Sequence, residues 1–261
     1  MERYRCYGDS PYQIVVVHGG PGAPGSVAPI CKLLSKDFSV IEPFQSADTV
    51  EGQIEELRAI IQEVADKPIT LIGHSWGAWL VYLLAASNPD LVKKVILVGC
   101  GAFEQKYVKE MNATRNCRFS EEDQMLLNQL QKRWSEVDSL QEEKIIFGQF
   151  GEIMSKAETF KPIEISANDT IDYQPEIYNK VMPEMLKLRQ NGDLLNKGSE
   201  IQCPVLAIHG KYDAHPYKGV IEPLKKVVSD FEYILLKDCG HYPWNEVLAH
   251  DKFFEILKEV I

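Results

Sequence analysis

Four short stretches of the chain are apolar at nearly every position and rich in β-branched side chains: Gln13–His18, Ile69–Gly73, Val95–Gly99 and Pro204–His209. Runs of this length that do not alternate and that end in a glycine or a helical pattern predict parallel strands buried on both faces. Phe38–Glu42 and Phe231–Leu236 are weaker stretches of the same kind, so about six strands are expected. Between them the apolar period becomes helical. Thr49–Ala65 places Ile54, Leu57, Ile60, Ile61 and Val64 on one face, and Ser75–Ser87, Tyr217–Ser229 and Trp244–Val260 have the length that a crossover between parallel strands requires. The alternation predicts an α/β fold, a mostly parallel sheet with helices on both faces.

This rhythm breaks once, from Ala102 to Glu200, where helical periodicity dominates and no comparable strand pattern appears. We therefore expect a core formed by residues 1–101 and 201–261, with a helical insertion over 102–200. Ser120 and Asp123 form an N-cap pair opening a helix that carries Leu127, Leu130, Trp134 and Val137, and Pro175–Gln190 reads as a second helix kinked at Pro183.

The chemistry is concentrated where predicted strands end. Gly73-His74-Ser75-Trp76-Gly77 follows a strand and opens a helix, the setting in which a serine on a sharp turn holds its Oγ clear of the backbone. A hydroxyl is a useful nucleophile at neutral pH only while a base removes its proton, and the base needs a carboxylate to orient it. Asp213 lies just past the strand Pro204–His209, and His241 just past Phe231–Leu236, so both fall on the same sheet edge as Ser75. The first strand leads into His18-Gly19-Gly20-Pro21-Gly22, whose small residues let main-chain N–H groups approach a substrate carbonyl. Gly20 and Trp76 are the expected oxyanion donors.

The same loop also satisfies a dinucleotide-binding pattern, Gly20-x-Gly22-x-x-Gly25, with Glu42 closing the next strand. Pro21 and Pro24 each remove an N–H from the turn that would hold a pyrophosphate, which counts against that reading. Of the other histidines, His18 and His74 are expected to shape turns beside the site, His209 to sit in the core, His215 to face the pocket and His250 to be solvated. None is spaced as HExxH, so no metal and no cofactor is implied.

Composition narrows the partners. The 261 residues carry a net charge of −10, about half of it from the insertion, with no Lys/Arg-rich block, which argues against nucleic-acid and anionic-membrane binding. Six scattered cysteines without a CxxC pair, and the absence of any signal-like or membrane-length apolar run, lead us to expect a cytoplasmic protein with reduced thiols.

Taken together, the His18–Gly22 loop, the Gly73–Gly77 elbow, Asp213 and Gly240-His241 resemble the α/β-hydrolase superfamily. The pairing of an HGGPG loop with an SWG elbow is similar to its proline iminopeptidase-like branch. The resemblance implies Ser75 as nucleophile, Asp213 as orienting acid, His241 as base, Gly20 and Trp76 as oxyanion donors, and Ala102–Glu200 as a helical cap inserted after the branch's sixth strand. The chain departs from that branch in three ways: an N-terminal hairpin reduced at most to Tyr4–Tyr7, a short cap, and His74 where a glycine is more usual. The expected function is a serine hydrolase cleaving an ester or amide of a small molecule or short peptide through an acyl-enzyme. An N-terminal aminopeptidase and a small-molecule carboxylesterase both fit, and a non-catalytic binding protein on the same fold is the remote alternative.

Overall fold

The computed structural model describes residues 2–163 and 171–261; residues 164–170 of the expected insertion lie outside it. Seven strands form one sheet: β1 (Tyr4–Tyr7), β2 (Tyr12–Val17), β3 (Val40–Pro43), β4 (Ala65–His74), β5 (Val92–Val98), β6 (Val205–Gly210) and β7 (Phe231–Leu236), in the order β1-β3-β2-β4-β5-β6-β7. β1 is antiparallel to β3, and every other pairing is parallel. The reduced N-terminal hairpin is thus a real edge strand, and it raises the expected count of about six to seven. Strand order reverses at β2, which has β3 on one side and β4 on the other. The crevice beyond the carboxyl ends of β2 and β4 is where an open sheet of this kind binds ligands.

Around the sheet lie α1 (Ala28–Leu34), α2 (Val50–Val64), α3 (Trp76–Ser87), α9 (Lys218–Val227) and α10 (His250–Val260). Side-chain alternation along each strand feeds two separate cores. Val15 and Val17 of β2, Val95 and Leu97 of β5 and Val205 and Ala207 of β6 pack with α2, α3 and α9. Their neighbours Ile14, Val16, Ile96, Val98, Leu206 and Ile208 pack with α1 and α10 on the other face. Because both faces are covered, these strands read as unbroken apolar runs. Helix α3 is apolar all round up to Ala86, and every residue from Trp76 to Ala86 is buried between the sheet and its neighbours. The predicted helix Trp244–Val260 is shorter than expected: the chain makes a single 3₁₀ turn at Pro243–Asn245, and the α-helix begins only at His250.

Between β5 and β6 run α4 (Val108–Arg118), α5 (Glu121–Glu136), α6 (Leu140–Glu158), α7 (Pro175–Asn191) and the short α8 (Asp193–Asn196). The expected cap at Ser120 is present as a reciprocal pair: Ser120 Oγ accepts from the Asp123 N–H at 3.0 Å, and the Asp123 carboxylate accepts from the Ser120 N–H at 3.3 Å. Leu130, Ile146, Ile153 and Phe119 give α4–α6 a small core of their own. Helix α7 behaves differently. Its Ile177, Val181 and Met185 join the main core, and its Glu184 carboxylate accepts from the Val50 N–H at 2.9 Å, at the start of α2.

The glycines of the elbow are explained by close packing. A Cβ on Gly73 would overlap the Gly77 carbonyl, and one on Gly77 would overlap the backbone of Val17 and His18, where α3 crosses the end of β2. Gly77→Ala should therefore cost at least about 2 kcal/mol, at the upper range of overpacking effects, because backbone must move. At Gly192 a Cβ meets open space but φ is +83°, so the same change should cost about 1 kcal/mol from backbone strain alone. Denaturant unfolding of the two variants checks this ordering; equal losses would contradict it.

Candidate active site

Ser75 sits between β4 and α3 with φ 53° and ψ −112°, a region that non-glycine residues avoid at a cost of roughly 1–3 kcal/mol. The strain is held by the surroundings: the Ser75 N–H donates to the Val98 carbonyl of β5 at 3.0 Å, and α3 is pinned by its burial. The Oγ projects toward a cavity and has no hydrogen-bond partner among the described residues. The loop after β2 lies against it, since a Cβ on Gly19 would stand 3.5 Å from Ser75 Cβ. The Trp76 N–H is at the first position of α3, where no intrahelical acceptor exists. The Gly20 N–H likewise donates to no described backbone group. The two expected donors thus have no described backbone acceptor, and Gly20, Ser75 and Trp76 line one cavity.

Asp213, in the turn after β6, meets His241, in the turn after β7. His241 Nδ1 lies 2.7 Å from Asp213 Oδ2, and both side chains are buried. Asp213 also accepts from the His215 N–H at 2.8 Å and lies 3.0 Å from His215 Nδ1 and 3.3 Å from His209 Nε2. Burial pushes its carboxyl pKa up, but His241, then His215 and His209, outweigh this and hold it well below the ordinary carboxylate range. For His241 burial works downward, and the carboxylates of Asp213 and then Glu158 overcome it, leaving the imidazole above its usual value. That is the electrostatic state of a base ready to become an imidazolium.

Around this pair lies a set of groups that the sequence reading did not connect. Glu158 ends α6, and its carbonyl accepts from the His241 N–H at 2.9 Å while its carboxylate pairs with Arg115 of α4. Arg115 also reaches His215 Nε2 at 3.1 Å, and the His215 ring stacks on that of His241 with centroids 4.4 Å apart. Glu246, fully buried, accepts from the Gly240, Phe160 and Lys161 N–H groups at 2.7–2.8 Å, tying the His241 loop to the end of α6. At Gly240 a Cβ would collide with the Glu158 carbonyl, so only glycine lets the inserted helix seat against the His241 turn. Arg115, Glu158 and Glu246 could not be singled out beforehand, because no local pattern distinguishes them from other charged residues on helices and turns.

The other residues singled out by the sequence fall into place structurally. His74 is buried and neutral, with Nε2 donating to the His241 carbonyl at 3.1 Å and its ring edge-on to Trp244, so it supports the His241 turn from below. His18 is buried with Nδ1 donating to the Gly19 carbonyl at 2.7 Å, and His209 Nε2 donates to the His215 carbonyl at 2.9 Å. His215 lines the cavity as expected, and His250 is half-exposed on α10. Glu104, a carboxylate that follows β5 at the same sheet edge, pairs with Lys106. Glu42 takes a hydrogen bond of 2.6 Å from Tyr7 and so holds β1 to the sheet. The Gly22 carbonyl, in the loop that imitates a dinucleotide motif, accepts from the Gln174 N–H at 2.9 Å, so that loop docks the segment entering α7. Glu158, His215 and His241 bring ligand atoms within 4.8 Å of one another, yet Arg115 already engages Glu158 and His215 Nε2, and Asp213 engages the Nδ1 atoms of His215 and His241.

The cavity above Ser75 measures about 1330 Å³ and lies between the sheet edge and α4–α7. Trp134, Phe147, Phe150, Tyr173 and Tyr178 form an aromatic wall, with the Phe147 ring 5.0 Å from that of Tyr178 and 5.8 Å from that of Tyr173. Among the described residues no helix is long and apolar enough to cross a membrane.

With this geometry in view, the chain belongs to the α/β-hydrolase fold family, whose pattern it matches over residues 12–143. It is 22% identical to the proline iminopeptidase of Lactobacillus helveticus, over 98% of this chain and 92% of that protein. The structure of VinJ superposes with a TM-score of 0.69 at 19% identity, covering 98% of this chain and 93% of that one. A lipase-esterase related protein from Clostridium acetobutylicum gives 0.63 at 22% identity, with 99% and 98% covered. By their names, the iminopeptidase and the lipase-esterase related protein do not share one substrate class.

The buried histidines make stability pH-dependent in a defined window. Burial lowers the His18 pKa from 6.5 to about 4, so the unfolded chain binds the proton more tightly. The corresponding stability is fully present above 6.5 and is lost as pH falls toward 4, amounting to about 3 kcal/mol for that shift. In His18→Asn, the loss of unfolding free energy between pH 7 and pH 4.5 should be smaller by about 2–3 kcal/mol than in the parent chain. An unchanged difference in denaturant titrations at the two pH values would show that His18 is not buried neutral.

Proposed function

We propose that this protein is a serine hydrolase that cleaves a carboxylic ester or amide through an acyl-enzyme. The observation that carries this reading is the buried 2.7 Å contact between His241 Nδ1 and Asp213, in one cavity with a strained, outward-facing Ser75. Asp213 fixes the tautomer with the proton on Nδ1, leaving Nε2 free to accept the Ser75 proton as Oγ attacks the carbonyl carbon. The oxyanion so formed accepts from the Gly20 and Trp76 N–H groups. Its collapse breaks the bond to the leaving alkoxide or amine, which takes the proton from His241. A water activated by the same base then releases the acid and restores Ser75. In the free protein Ser75 Oγ makes no hydrogen bond to His241, and the pair closes once substrate is bound, as is common for such sites. In this scheme the inserted helices act as the cap that excludes water and shapes specificity.

Two substrate classes remain, and the cavity favours one of them. An aminopeptidase must meet a cationic α-amino group with an uncommitted carboxylate near the nucleophile. Of the two carboxylates that line the cavity, Glu158 is already paired with Arg115, and Glu152 is exposed, where solvent screens its charge. The aromatic wall suits an apolar acyl or alkyl group, which favours a carboxylesterase, whereas the similarity to a proline iminopeptidase supports the alternative.

Ser75→Ala should abolish labelling by a fluorophosphonate, and Asp213→Asn should lower kcat by about 10⁴ with little change in KM, in line with the loss of an orienting carboxylate. Persistent labelling of Ser75→Ala, or a loss below tenfold in Asp213→Asn, would refute the assignment. On matched substrates, 4-nitrophenyl esters should be hydrolysed while free-amine and N-acetylated aminoacyl anilides show no large difference in rate. A strong preference for the free amine would establish the aminopeptidase instead.

A further inference from the structure

Arg189, near the end of α7, is 8% exposed, and its guanidinium makes no hydrogen bond or ion pair with any described residue. This is unusual for the most strongly basic side chain, because a buried charge is ordinarily paired and its five N–H donors satisfied. Its Nε is wholly removed from water and unpartnered. Burial lowers its pKa, and no carboxylate is paired with it, whereas Arg115 has an ion pair with Glu158. The guanidinium carbon stands 5.7 Å from the centre of the Trp79 ring, whose own Nε1 donates to the Gly101 carbonyl at 3.0 Å and is thereby fixed. An aromatic face holds a guanidinium by its plane and leaves the N–H edges free.

The position of this group gives it meaning. Trp79 is one helical turn along α3 from Ser75, and Trp79, Arg189 and Ser75 line the same cavity, beside Met182 and Leu186 of α7. Arg189 also borders a second cavity of about 300 Å³, where Glu104 is held by Lys106. We propose that Arg189 is an anion-binding residue of the substrate pocket, and that the protein's substrates are esters carrying a second, ionised carboxylate apart from the scissile bond. This deepens the serine-hydrolase reading and rests on it. Such a carboxylate meets the planar guanidinium of this largely buried side chain with paired charge-assisted hydrogen bonds. The aromatic and methionine lining accommodates the apolar segment that joins the two ends.

The test compares pairs of esters that differ by the carboxylate. One pair carries it on the acyl side (mono-4-nitrophenyl suberate against 4-nitrophenyl octanoate), the other on the alcohol side (4-carboxyphenyl acetate against phenyl acetate). In at least one pair kcat/KM should favour the carboxylate by about tenfold or more, the loss expected for one charge-assisted contact, and Arg189→Leu should bring that ratio close to one. Arg189→Lys, which keeps the charge but not the fork, should retain part of it. A second arm does not need turnover: Ser75→Ala protein should bind suberic acid monoanilide at least about tenfold more tightly than octanoic anilide, and lose the difference with Arg189→Leu. If no ester is cleaved yet this binding difference holds, the hydrolase reading fails and the anion site stands. Equal rates within both pairs, equal binding of the two anilides, or a preference that survives Arg189→Leu would overturn the proposal.

Discussion

An ionised carboxylate with no exposed side-chain surface is tolerable only if every charge and lone pair around it is arranged to hold it. Asp213 is held by His241 at 2.7 Å, by the backbone and ring of His215, and by His209. Those partners come from the end of β6 and from the turns that follow β6 and β7, so the contact fixes how the ends of the two strands face one another. It also dictates what covers them. His215 Nε2 is met by Arg115, Arg115 by Glu158, and the Glu158 carbonyl by the His241 N–H, so the inserted helices and the sheet edge meet in one network. Removing a member of such a network leaves the others buried and unmatched, which is why it specifies geometry more than it adds stability.

Much of this was legible in the sequence because it follows from local rules. The parallel core showed itself in unbroken apolar runs, and the elbow in a serine between two glycines that the crossing of α3 over β2 leaves no room to enlarge. Asp213 and His241 could be placed because each follows a strand that ends at the same edge. What stayed hidden depends on contacts between distant segments. The edge strand Tyr4–Tyr7 could be located only through the resemblance, because it is too short for its own pattern to outweigh chance, and it is secured by Tyr7 reaching Glu42. The start of α10 moved to His250 because the preceding turn serves to place Glu246 under Gly240. Arg115, Glu158 and Arg189 are charged residues on amphipathic helices, and nothing in their spacing separates a buried functional charge from a solvated one.

The inserted helices thus have two parts with different physical roles. Helices α4–α6 share a small core and supply the charges that meet His241, whereas α7 is continuous with the main core and carries Arg189 into the cavity beside Trp79. The seating of α7 on the main core suits recognition of a fixed anionic group, and the aromatic side chains that α5 and α6 turn to the cavity suit an apolar one. Substrate preference in a family with so many activities is set on such surfaces, while the nucleophile and its partners stay at the sheet edge.

The central claim is that Ser75, His241 and the Gly20 and Trp76 amides form one acyl-transfer centre. It is tested most directly by the crystal structure of the protein after reaction with an alkyl fluorophosphonate, whose phosphorus imitates the tetrahedral carbon of the reaction. The account predicts a single adduct bonded to Ser75 Oγ, with the phosphoryl oxygen accepting from both the Gly20 and Trp76 N–H groups and the His241 imidazole, still paired with Asp213, facing the adduct. An adduct on another residue, or a phosphoryl oxygen turned away from those two amides, would contradict it.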